Sequence, residues 1–72
     1  MQLYAKTFRC PDIVSQEDAM IVMQTLQNSP GIERFDVDHV VHQVQVRTAN
    51  QGGFKDVVGA LRHAGYPPEE ED

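Results

Sequence analysis

The sequence predicts an α+β domain in which an antiparallel sheet carries two helices on one face. Three observations predict it. Apolar residues recur at helical spacing in two separate stretches, Ala19, Val22, Met23 and Leu26, then Val57, Val58 and Leu61. Between them the period drops to two, with Phe35 and Val37 facing one way and Val44 and Val46 doing the same after a tip. Breakers divide the segments at Pro11, at Ser29-Pro30-Gly31 and at Asn50-Gln51-Gly52-Gly53.

The elements follow in order. Residues 2–10 carry aromatic and β-favouring types and end at Pro11, so they read as a first strand closed by a loop through Asp12, Ile13 and Val14. Ser15 is a helix N-cap, because Ser15-Gln16-Glu17-Asp18 has the capping-box spacing and sets two acids against the positive helix end. The helix is expected to stop near Asn28, ahead of the Ser-Pro-Gly breaker. From Ile32 the alternation predicts a hairpin with one buried face and a tip at residues 39–43. That tip is unusual, since Val40 and Val41 lack the positive-φ tolerance that short turns need. A second helix follows the glycines and takes Gly65 as its C-cap. Pro67 and Pro68 leave room for only a short or absent fourth strand. Strand, helix, strand, strand, helix and a short or absent last strand describe the two βαβ halves of a ferredoxin-like βαββαβ sandwich. Residues 1–66 form the domain, and residues 67–72, two prolines and four acids, are expected to be a mobile tail.

Bulk properties narrow the function. A chain of 72 residues holds one domain with a thin core. Eleven acidic residues against six basic ones give a net charge of −5, which repels phosphate backbones and argues against nucleic acid. The longest apolar run, Ala19-Met20-Ile21-Val22-Met23, is far short of a bilayer span, and no signal-like start is present, so no membrane insertion and a cytoplasmic location are expected. The single cysteine, Cys10, excludes an internal disulfide.

Three pieces of the chain carry a resemblance. Ser29-Pro30-Gly31-Ile32-Glu33-Arg34-Phe35-Asp36-Val37-Asp38 is similar to the entry into the second strand of the heavy-metal-associated domain family. Val44-Gln45-Val46 and Val57-Val58-Gly59-Ala60-Leu61-Arg62-His63-Ala64-Gly65-Tyr66 resemble its later strand and its closing helix. The resemblance covers nearly the whole chain and implies a ferredoxin-like fold and a place in metal-ion trafficking or metal transport. It also implies a C-x-x-C pair at the start of the first helix, where two thiolates hold a soft ion such as Cu(I). Here those two positions fall on Ser15 and Asp18, and Cys10 lies before the loop at a strand position. A standard thiolate Cu(I) carrier is therefore not expected.

Two readings stand for Ser15 and Asp18: oxygen ligands for a harder ion, or a capping box that maintains the helix. Cys10 reads as a small core residue. Sheet topology sends the first loop, the hairpin tip and the end of the second helix to one pole. His39 has the parity of Phe35 and Val37, and His42 that of Val44 and Val46. Asp18, His39 and His42 thus form a candidate ligand set for a borderline divalent metal ion such as Zn(II), Ni(II) or Co(II), against polar capping of a hairpin end. His63, in the last turn of the second helix, suits the helix dipole. Tyr66 matches the family position beside the metal loop, and its ring is expected to close the core edge. Met20, Val40, Val41 and Tyr66 form a candidate interaction surface for a protein partner with a basic docking face, with Ile21 beside Met20. No nucleophile with a base, phosphate loop or split carboxylate pair is visible, so binding rather than catalysis is expected.

Overall fold

The computed structural model describes residues 2–69. Its elements are β1 (Tyr4–Arg9), α1 (Gln16–Gln27), β2 (Ile32–Asp38), β3 (Gln43–Thr48) and α2 (Gly53–His63). The strands form one antiparallel sheet in the order β1-β3-β2. α1 packs over β2 and against α2, so both helices lie on one face and the ferredoxin-like expectation is met.

Register follows the hydrophobic pattern. Phe35 lies opposite Val46 and Val37 opposite Val44, which turns the alternating residues of the hairpin toward the helices. Phe8, Val44 and Val46 from the sheet meet Ala19, Val22 and Leu26 of α1 and Val57 and Leu61 of α2. Cys10 and Ile13 complete this core from the loop after β1, and both are fully buried. The loop was expected to connect elements; its Ile13 is instead among the largest fully buried side chains.

The hairpin tip solves its chemistry through its neighbours. Asp38 Oδ1 accepts the amides of Val40 (2.9 Å) and Val41 (3.4 Å), so a carboxylate organises the turn. The left-handed backbone falls on His42 (φ 60°), not on either valine, and histidine tolerates that region better than a β-branched residue.

At the far end of the sheet, α2 begins beside Thr48, where the Oδ1 of Asn50 accepts the Gly53 amide at 3.1 Å. A Cβ at Gly53 would sit 3.0 Å from Thr48 Cγ2, so helix and strand approach closely there and a larger residue would make the buried Thr48 side chain give way. At its other end the C-cap is Ala64, one residue earlier than expected. Gly65 follows it at φ 92° and donates to Arg62 O (3.1 Å), while Tyr66 N donates to Leu61 O (2.9 Å). This pair of bonds is a Schellman motif, in which glycine adopts the left-handed conformation just past the cap and the next residue folds back on the core.

A residual fourth strand is confined to one contact. Glu69 N donates to Arg9 O at 2.7 Å, Pro68 is buried, and the Glu69 carboxylate lies 3.5 Å from Arg9 Nε on the surface. No further strand is formed among the described residues. Packing thus continues to Glu69, beyond the boundary drawn at residue 66, while the rest of the acidic tail, residues 70–72, lies outside the described residues.

Candidate functional site

The pole that the sequence predicted is assembled by three contacts. Cys10 N donates to His42 O at 2.8 Å, extending the β1–β3 pairing into the loop and the hairpin tip. His42 Nδ1 lies 2.8 Å from Ile13 O. Because a carbonyl only accepts, Nδ1 carries the proton, and the lone pair of a neutral ring is left on Nε2. The third contact joins the first turn of α1 to the segment that follows α2: the Tyr66 hydroxyl donates to Asp18 Oδ1 at 2.6 Å.

Asp18 is the hub. Ser15 Oγ accepts the Asp18 amide at 3.1 Å, while Asp18 Oδ2 accepts the amides of Ser15 (3.2 Å) and Val14 (3.1 Å), so the capping box is complete. Both carboxylate oxygens are engaged, and the amides of Ile13, Val14, Ser15 and Asp18 are bonded within the chain. The Tyr66 hydroxyl, followed by the Val14 amide, holds the Asp18 carboxyl below its ordinary range, since both stabilise the charged form. Reciprocally, the carboxylate pushes the Tyr66 phenol up, because ionisation would cost the shared proton and set two negative charges together.

The donor chemistry does not fit a soft metal ion. Ser15 and Asp18 occupy the two positions that the resemblance assigns to thiolates, and their polar atoms bond to each other. Cys10 is sealed in the core, where burial pushes its thiol up to about 11 and keeps it protonated at neutral pH. Among the described residues, no group of three or more His, Cys, Asp or Glu side chains is placed to hold a metal ion. Asp18, His39 and His42 come to one pole without forming such a set: Asp18 faces Tyr66, His42 is tied to Ile13, and His39 is half-buried at the tip.

The remaining expected residues fall as follows. His63 is exposed as the last residue of α2. The Tyr66 ring packs on the core edge as expected, and its hydroxyl adds a bond that was not foreseen. Met20, Ile21, Val40 and Val41 are exposed, Val40 by 73%. Val14, at 62% exposed, joins them and was missed, as was the burial of Ile13. The available signal was two consecutive apolar residues just before a capping box, a place where a side chain is often used to fix the chain's entry into the helix. Acidic Asp12, Glu17 and Asp38 stand among these apolar residues, and neither residues 10–33 nor residues 35–46 contain a lysine or arginine.

No protein-family model matches the chain, and no curated protein matches it by sequence. Solved structures do match. The oxidised form of MerP from Ralstonia metallidurans, 18% identical, aligns over 99% of this chain and 100% of that one with a TM-score of 0.84. A heavy metal binding protein from Thermotoga maritima, 24% identical, aligns over 93% and 94% with a TM-score of 0.79. The copper chaperone Atx1 from Synechocystis, 23% identical, aligns over 89% and 98% with a TM-score of 0.73. The fold is therefore that of heavy-metal-associated domains, in a chain whose single cysteine cannot make the C-x-x-C pair.

Proposed function

We propose that this chain is a binding module related to metal-ion trafficking proteins, with a loop closed on itself and a pole that docks a protein partner. The observation that carries the proposal is the state of Asp18: both of its oxygens accept bonds from within the chain, from Tyr66 and from the Val14 and Ser15 amides. A pole meant to capture cargo needs ligand groups left open, and the side chains left open here are apolar, Val14, Met20, Val40 and Val41. The acids among them and the lack of basic residues in those segments favour a partner surface with basic residues around an apolar patch.

A second reading rests on His42. A histidine whose Nδ1–H is held by a backbone carbonyl has its ring fixed and its Nε2 lone pair directed away, which is how imidazole ligands are commonly oriented. His42 and His39 would take a borderline divalent ion, with Asp18 joining only after release from Tyr66. Two imidazoles give modest affinity, lost as the rings protonate.

One experiment separates the readings. Amide NMR spectra of the reduced, labelled protein are recorded during anaerobic titration with Zn(II), Ni(II), Co(II) and Cu(I). The docking proposal expects no saturable response around Asp18, His39 and His42; saturable shifts there that vanish in His39→Ala/His42→Ala would establish the metal site instead. A photo-crosslinker at Val40 should then capture a partner whose purified form binds the protein, with affinity lost on Val40→Asp and lowered by salt. A crosslinker on the open sheet face at Gln45 is the control, and equal capture from both positions sinks the docking proposal.

A further inference from the structure

β1 is an edge of the sheet, and the described residues form no further strand beside it. Because Cys10 N bonds to β3 and Arg9 O bonds to Glu69 N, the alternation of an antiparallel ladder sets Tyr4, Lys6 and Phe8 against β3 and turns the backbone groups of Ala5, Thr7 and Arg9 outward. Only Arg9 O is met, by Glu69; among the described residues nothing pairs with the outward groups of Ala5 and Thr7. Beside this edge runs a groove lined by Lys6, Phe54, Lys55, Val58, Gly59 and Arg62. It lies on the side of β1 away from its partner, since no residue of β2 or β3 lines it. Its floor is the half-buried Phe54 and Val58, and the Lys6 ammonium lies 5.2 Å from the Phe8 ring centroid and 5.9 Å from that of Phe54.

We infer that this edge accepts an extended, acidic segment of another protein as the fourth strand. Hydrogen bonds to Ala5 and Thr7 supply the ladder, and apolar side chains on one face of the added strand fill the groove over Phe54 and Val58. Charge selects the partner: in a molecule of net charge −5, this groove has a basic rim and no acidic lining residue. Among the described residues, neither Lys6 nor Lys55 has a carboxylate partner. The site is separate from the Asp18 pole and does not depend on which reading of that pole holds.

The test uses the full chain and a blocked hexapeptide of alternating valine and glutamate, with a valine–lysine peptide as control. Amide spectra should show saturable shifts at Ala5, Thr7, Phe54 and Val58 with the acidic peptide, together with slower hydrogen exchange at Ala5 and Thr7. Lys6→Glu with Lys55→Glu leaves the backbone untouched and should weaken binding by about tenfold or more. Thr7→Pro removes one outward donor and should weaken it too, once the spectrum shows the fold intact. Absence of saturable shifts, or equal binding of the lysine peptide, overturns the inference. So does protection of Ala5 and Thr7 in the free protein that disappears on truncation after Glu69, which would make the chain's own acidic terminus the occupant, or that grows with protein concentration, which would make it a second copy.

Discussion

Asp18 concentrates the behaviour of the pole in one side chain. Its folded carboxyl titrates below the ordinary value of 3.8, so its contribution to stability is fully present above that pH and is lost as pH falls through the lower, folded value. The Tyr66 phenol has the opposite sign: raised above 10.0 in the folded chain, it contributes below that pH and is lost as pH rises through the folded value. Tyr66→Phe keeps the ring on the core edge and removes only the hydroxyl. In that variant the Asp18 carboxyl, followed by carbon-13 NMR, should titrate closer to 3.8, and stability should depend less steeply on acid pH. An unchanged Asp18 titration would mean that the Val14 and Ser15 amides hold the carboxylate alone. Cys10 makes a second prediction at this scale. Fully buried and with its thiol pushed up to about 11, it should resist a thiol-specific reagent at neutral pH and react only as fast as the chain unfolds. Rapid labelling of the native protein would contradict its place in the core.

At the scale of elements, the turns decide where the site residues point. Gly65 sits at φ 92° with open space around a would-be Cβ, so Gly65→Ala tests backbone conformation without steric overlap. It should cost about 1–2 kcal/mol in urea unfolding. Because the same motif positions Tyr66, it should also disturb the Asp18 bond, visible as an upward shift of the Asp18 titration. Ser15→Ala removes a cap worth about 1 kcal/mol and should fray the start of α1, with faster amide exchange at Asp18. Both turns were legible in the sequence, the capping box from Ser15 to Asp18 and the Gly65 stop, as was the hairpin register set by Phe35, Val37, Val44 and Val46. Local periodicity and breaker chemistry dictate such features. The Asp18–Tyr66 bond joins residues 48 apart, and its geometry arises only once both helices pack. The Asp38 turn was illegible for a different reason: the valines drew notice, while the carboxylate that organises them stands just before the tip.

For the whole molecule, small size makes loop residues part of the core. A chain of 72 residues is held by roughly 4–10 kcal/mol in total, so a single large cavity consumes much of it. Ile13 lies outside every helix and strand, yet it is as buried as Leu26 of α1 and packs in the same cluster. Ile13→Ala should therefore cost about 2–5 kcal/mol, comparable with Leu26→Ala, and both variants should unfold cooperatively at lower urea with little change in slope. The two differ in what else they move. Ile13 O is the partner of His42 Nδ1, so loosening the loop frees the hairpin tip as well as the core, and amide exchange at residues 39–42 should rise more in Ile13→Ala than in Leu26→Ala at matched stability. If exchange at the tip followed global stability alone in both variants, the loop and hairpin would be independent. The pole would then be two adjacent turns and not the single platform on which either docking or metal binding depends.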